Sequence, residues 1–344
     1  MFSRALTFLP ALFVIAVTLF YVPVRSKDSN IAEIPAAQTF AREMRERHGM
    51  DEADLLRRFA KLKPNHRVLK LIAPPSPSAA PAQRSWQRYR SRFLDERRIQ
   101  QGVAFWRQHA ATLKRAEAAY GVPAEIVVAI IGIETFYGET TGSFNTFATL
   151  ATLAFYDPRR PEFFQQELEQ LLLLARENHR NPESYSGSYA GALGVSQFMP
   201  GSWRRYAVDF DNDGAIDLAN SVDDAIGSVA NFLASHGWQK DAPIAVPVRL
   251  PDRLPVDTLA DWMETGIRPA LSTNALLAAG VKAQRPFGGD DLKITLVDLV
   301  TPDAPTEYWF GFENFYVITR YNRSSFYAMS VFQLAEQIAL AKKR

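Results

Sequence analysis

Gly121-Val122-Pro123-Ala124-Glu125-Ile126-Val127-Val128-Ala129-Ile130-Ile131-Gly132-Ile133-Glu134-Thr135-Phe136-Tyr137-Gly138 reads as one buried helix. Pro123 suits its first turn and Gly138 its end. The apolar run from Ile126 to Ile133 offers Glu134 neither a counter-charge nor a polar partner. A carboxylate in that position is desolvated and faces the negative end of the helix dipole, and both effects favour the protonated form. Cleavage of a glycoside bond needs such an acid, one that keeps its proton near neutral pH. The structural alternative is a glutamate at a helix end that reaches solvent or pairs with an arginine, and this segment alone does not separate the two.

The surrounding chain narrows the choice. Its 344 residues suffice for two or three compact units, and a net charge of +2 argues against a nucleic-acid binder. The basic run from Arg84 to Arg98 carries Trp86 and Tyr89, but Asp95 and Glu96 interrupt it, as in a solvated amphipathic helix. There is no cysteine, which excludes disulfides, thiolate metal sites, a cysteine nucleophile and a lipid on an N-terminal cysteine. Residues 1–26 are a targeting segment: Arg4 precedes an apolar stretch from Ala5 to Val24, followed by Arg25 and Lys27. A cleaved signal and a membrane anchor through residues 5–24 fit equally well, and either exports the rest of the chain.

Residues 27–114 have helical patterning, with Phe40, Met44, Leu55, Leu56, Phe59 and Leu62 apolar among charges. A Pro-rich strap covers 73–82, and the helical stretch from Arg84 to Tyr120 is expected to break near Gln101-Gly102. Residues 115–243 are the expected catalytic core. Beyond it, 244–320 form a small β-containing unit with alternation at Ile244, Val246, Val248 and Leu250, at Leu292, Ile294 and Leu296, and at Tyr308, Phe310 and Phe312. Glu313-Asn314 is expected to turn that last strand into another over Phe315 to Thr319. A helical patch falls around Leu271 to Ala279. Residues 321–344 return to the helical region and close in a helix from about Phe326 to Lys342.

Two further segments carry chemistry. Asp209-Phe210-Asp211-Asn212-Asp213-Gly214 places carboxylates at alternate positions and Gly at the sixth, the spacing of an EF-hand calcium loop. The twelfth position is Asn220, which lacks the usual bidentate carboxylate; Asp223 is placed to close a longer loop. Ser221 and Asp224 look like a capping pair for the helix that follows. The alternative is a Gly-containing turn with solvated aspartates. The other segment runs from Ser186 to Trp203, where small residues let backbone approach a ligand and Tyr189, Gln197, Phe198 and Met199 can floor a cleft. Its alternative is a tight loop packed beside a helix.

Three motifs in order resemble the membrane-bound lytic murein transglycosylase B family of bacterial cell walls: Ile131 to Gly138, Ser188 to Pro200, and the Asp loop running into Ala225 to Asn231. Val103-Ala104-Phe105-Trp106 and Thr319-Arg320-Tyr321-Asn322-Arg323-Ser324 add to the resemblance, which covers about Ile34 to Leu340. It implies an α+β, predominantly helical fold with a lysozyme-like core and Glu134 as the catalytic residue. It places sugar-site roles on Ser188, Gln197, Phe198, Met199, Tyr321, Asn322 and Tyr327, with Tyr89, Arg159 and Arg160 added. Calcium would be held by Asp209, Asp211, Asp213, the Ala215 carbonyl and Asp223, with no organic cofactor. The implied activity cuts the β-1,4 bond between N-acetylmuramic acid and N-acetylglucosamine and leaves 1,6-anhydromuramoyl ends. A lysozyme-type hydrolase and a non-catalytic calcium-binding glycan scaffold are the competing readings. The expected setting is the periplasm of a Gram-negative envelope, for a monomer that binds glycan strands and has cell-wall synthases as candidate partners.

Overall fold

The computed structural model describes residues 30–74 and 83–344. The targeting segment and most of the Pro-rich strap lie outside them. The N-terminal region folds as α1 (Pro35–His48), α2 (Glu52–Ala60) and α3 (His66–Ile72), followed by α4 (Trp86–Arg90), α5 (Glu96–Gln108) and α6 (Ala110–Tyr120). The expected break near Gly102 is absent: Gly102 lies inside α5, and the chain breaks at His109 and between α4 and α5 instead. Gly102 is a contact residue, since a Cβ there would stand 2.6 Å from both Ile338 and the Tyr137 hydroxyl.

The decisive apolar stretch is α7 (Ala124–Thr135), shorter at both ends than its sequence suggests. It packs against α5, α6, α11 and the C-terminal helix, so that Ile126 to Ile131 are all buried. A helix apolar on every face is stable only in such surroundings. No single helix among the described residues is long and apolar enough to cross a membrane. The helix stops at Thr135 because Phe136 and Tyr137 turn left-handed, with φ of 52° and 62°. Their amides return to Gly132 and Ile131, which satisfies the last carbonyls. Non-glycine residues pay strain in that region, and residues held there cluster at functional sites.

A two-stranded sheet, β1 (Phe144–Asn145) with β2 (Ser186–Gly187), brackets the pair α8 (Thr146–Tyr156) and α9 (Pro161–Glu177). Then come α10 (Pro200–Tyr206) and α11 (Val222–Ser235). The β-containing unit comprises β3 (Ala245–Arg249), α12 (Val256–Glu264), β4 (Leu271–Ser272), α13 (Thr273–Ala278), β5 (Lys282–Ala283), β6 (Lys293–Leu299) and β7 (Glu307–Gly311). Its five-stranded antiparallel sheet has the order β4-β6-β7-β3-β5, with Phe310 opposite both Val246 and Leu296. Both faces are covered. Val297 and Leu299 join the main helical core, while Ile294, Leu296 and Phe310 join a smaller core with Val246, Val248 and Leu276.

The strand expected over Phe315 to Thr319 is instead the helix α14 (Glu313–Tyr321), followed by α15 (Ser325–Lys343). Aromatic and β-branched residues favour strand there, but tertiary contacts override that preference. Buried Asn314 accepts from the Gln239 amide and donates to the Gln239 and Ala242 carbonyls, which pins the first turn. The result is a mainly helical α+β molecule with a lysozyme-like core and a small sheet.

Candidate active site

Glu134 occupies the last turn of α7, and the residues around its carboxyl are tyrosines rather than the Ile and Phe that its neighbours in sequence suggest. The Tyr327 hydroxyl donates to Glu134 Oε1 at 2.6 Å. Ser324 fixes that tyrosine by capping α15, accepting from the Tyr327 amide at 3.3 Å. Burial pushes the Glu134 carboxyl up to about 7, against the smaller opposing effect of the Tyr327 hydrogen bond. The phenols of Tyr89, Tyr321 and Tyr327 are each raised, by burial first and then by the Glu134 carboxylate. Three tyrosines from two distant parts of the chain, Tyr89 and the pair Tyr321 and Tyr327, therefore lie within the electrostatic reach of one acid.

Tyr321 stacks on Tyr327 at 6.5 Å between ring centroids, 13° from parallel, and donates to the Ser196 carbonyl at 2.5 Å. That bond links the end of α14 to the 186–203 loop. Thr135, inside the Ile131 to Gly138 motif, supplies a second link: its hydroxyl donates to the Val195 carbonyl at 2.9 Å and accepts from the Gly138 amide at 3.1 Å. Inside the loop, Ser188 Oγ accepts from the Ala190 and Ala192 amides. Gln197, at φ 51°, donates through Nε2 to the carbonyls of Thr141 and Gly194. Gly194 has φ +69°, and any Cβ there would collide with the Leu218 carbonyl, so only glycine allows this turn.

Several residues expected at the sugar site also make contacts within the protein. Phe198 is 2% exposed and packs against Phe232 and Tyr321, so its ring is a wall behind the cleft and not a platform. Tyr327 is equally buried, and its hydroxyl is engaged with Glu134. Arg159 grips Asp157 through two nitrogens at 2.8 Å and donates to the Ile72 carbonyl, while Arg160 lies over the Phe163 ring. These contacts tie the start of α9 to α3 and to itself. Tyr89, Met199 and Tyr321 are partly buried against the main core, and Asn322 is exposed just after α14. Arg98 is a supporting residue that no sequence pattern singles out. It donates to the Gly132 carbonyl at 3.2 Å and lies over Phe136 at 4.7 Å, so it braces the left-handed turn after the acid.

Other carboxylates near Glu134 in sequence are occupied. Glu139 pairs with Arg97 and accepts from Gln101. Asp157 is held low by its hydrogen bond from Arg159.

In the acidic loop, oxygens of Asp209, Asp211 and Asp213 lie within 4.8 Å of one another. Two oxygens on one calcium ion stand at most about 5 Å apart, so the three fit that ion. Asp223 does not join them: its oxygens face Arg115 at 3.7 Å and His109 at 4.0 Å. Asp224 shapes the loop instead, accepting from the amides of Phe210 and Asp217 at 2.7 and 2.8 Å. Its own amide is capped by Ser221 as expected.

A carboxyl held at about 7 by burial, set on a lysozyme-like core and hydrogen-bonded by a phenol, suits an enzyme that acts on glycan. Residues 33–336 match the transglycosylase SLT domain family. The membrane-bound lytic murein transglycosylase B of Escherichia coli (strain K12) is 40% identical over 326 residues, 93% of this chain and 87% of that protein. The Escherichia coli lytic transglycosylase Slt35, solved in complex with calcium, is 40% identical, with a TM-score of 0.79 over 92% of this chain and 96% of the other. SltB3 from Pseudomonas aeruginosa, solved in complex with NAG-anhNAM-pentapeptide, is 32% identical, with a TM-score of 0.72 over 88% of this chain and 78% of that one. The chain belongs to the transglycosylase SLT family and is a peptidoglycan lytic transglycosylase.

Proposed function

We propose that Glu134 carries the whole proton traffic of the reaction. Its protonated carboxyl gives a proton to the oxygen leaving C1 of N-acetylmuramic acid. The resulting carboxylate then takes the proton of the C6 hydroxyl as that oxygen bonds to C1, which closes the 1,6-anhydro ring and restores the acid. The observation that carries this reading is one carboxyl poised at about 7, with burial and Tyr327 as the influences upon it and no second carboxylate beside it among the described residues. A retaining hydrolase needs a second carboxylate about 5 Å away.

The loop residues suit glycan. Ser188 accepts two amides and keeps its own proton for a ligand. Gln197 spends its amide protons on carbonyls, which leaves Oε1 to accept from a hydroxyl or N-acetyl group. Tyr89 and Tyr321 offer ring faces, Met199 an apolar edge and Asn322 an exposed amide. Calcium on Asp209, Asp211 and Asp213 would offset three like charges and hold the loop, apart from the chemistry. The substrate and the relatives' names support a place in the bacterial envelope, on the periplasmic side.

Digestion of purified murein sacculi tests the reaction. Products ending in anhydromuramoyl groups, one water lighter than reducing ends, are expected. Glu134→Gln, which keeps the shape without the proton, should be slower by about 10²- to 10⁴-fold. Reducing ends in the wild-type digest would replace this reading with hydrolysis.

A further inference from the structure

A cavity of about 420 Å³ opens beside the tyrosine cluster. Four arginines line it: Arg84, Arg88 and Arg92 from the segment around α4, and Arg323 from the turn before α15. Tyr89 belongs both to this cavity and to the surroundings of Glu134. Phe326 forms part of its wall, one residue before the tyrosine that holds the acid. Among the described residues, no carboxylate lines the cavity. Arg84 has Asp298 at 3.5 Å, whereas Arg88, Arg92 and Arg323 have no ion-pair partner among the described residues. Like charges gathered around a concavity raise one another's energy, and an entering anion relieves that repulsion.

We infer that this arginine-lined cavity holds the carboxylates of the peptide carried by the glycan, and so selects strands that still bear their peptides. The inference rests on the glycan-cleaving reading of the adjacent site. Hydroxyl and N-acetyl groups along the sugar chain are neutral, so the anionic groups of the substrate are carboxylates. Guanidinium forks match carboxylates in a bidentate manner. A cavity of this size accepts a few amino-acid residues, more than one sugar ring's substituent requires.

Binding to the full chain carrying Glu134→Gln tests the inference without depending on turnover. Soluble glycan oligomers with intact peptides and the same oligomers after peptide removal are compared by calorimetry. The second set keeps the lactyl carboxylate on the sugar. Adding Arg88→Gln and Arg323→Gln should weaken binding of the peptide-bearing oligomer about tenfold more than that of the bare one, as loss of one charge-assisted hydrogen bond predicts. With the arginines intact, raising salt should weaken the peptide-bearing oligomer more steeply. This arm needs no arginine variant to fold. Equal effects on both oligomers, or none on either, would overturn the inference. Loss of the lytic reading would show separately, as an absence of anhydro products from sacculi.

Discussion

At the scale of single residues, the proposed function turns on how one carboxyl is kept protonated. Glu134 is legible in the sequence because the apolar residues that precede it, Ile126 to Ile133, already strip water from a carboxyl at that helix end. Its partner is not, since Tyr327 lies 193 positions away and only the packing of α15 on α7 brings them together. The hydrogen bond from Tyr327 favours the charged carboxylate, so Tyr327→Phe should raise the Glu134 pKa further. The step that needs the protonated acid then survives to higher pH. A pH profile of kcat/KM for the variant should show its alkaline limb moved above the wild-type position near 7, with a lower plateau from lost positioning. An unmoved limb would mean that the phenol does not govern the acid. The same raised pKa sets a stability cost. Below the ordinary carboxylate value of 4.5 both folded and unfolded forms hold the proton, and nothing is lost. Between there and about 7 the unfolded chain releases it first, so the penalty grows with pH and is complete above that value. Glu134→Gln, which cannot ionise, should therefore melt higher than wild type at pH 8, and the gap should close towards pH 4.

At the scale of elements, periodicity finds the three longer strands, β3, β6 and β7, and several helices, but it misses the two-residue strands and α12 and misjudges two places where packing decides. The run Phe315 to Thr319 has the composition of a strand, yet Asn314 anchors it as a helix through bonds to residues some 75 positions earlier. That helix must exist for Tyr321 to reach Ser196. Gly102 reads as a helix breaker because glycine is costly in helix interiors. Its meaning lies in neighbours invisible to local pattern, Ile338 on α15 and the Tyr137 ring. Tyr137 in turn donates to the Arg98 carbonyl, so α5 supports the left-handed turn after Glu134. Gly102→Val should push α5 off both contacts and cost about 1–3 kcal/mol. Denaturant unfolding measures that loss, and activity should fall more than the lost fraction of folded protein because the turn beside the acid moves. A variant of unchanged stability would show that α5 and α15 can separate freely at this point.

At the scale of the whole molecule, the β-containing unit lies in the chain between α7 and the two tyrosines, Tyr321 and Tyr327, that come to Glu134, and its sheet is shared between two cores. The acidic loop is a second such joint. Its backbone is anchored by Asp224 on α11 and by Arg115 on α6, which donates to the Phe210 carbonyl at 2.9 Å and covers the Phe210 ring at 4.7 Å. The alternating aspartates are legible from spacing, but the diversion of Asp223 is not, because it depends on Arg115 and His109, which lie about a hundred positions earlier. Three converging carboxylates repel one another until a cation joins them, so calcium should bind the folded chain and not the unfolded one. At one hundred times its dissociation constant such a ligand adds about 2.7 kcal/mol, or several degrees in melting temperature. Chelator should remove that increment and calcium restore it, while activity at about 25 °C stays unchanged because the loop lies outside the tyrosine cluster. Asp209→Ala should melt lower than wild type in calcium and ignore both additions. A wild-type melting temperature indifferent to chelator and calcium alike would remove the metal from the molecule. Activity that fell with chelator at constant folding would bring the loop into the chemistry.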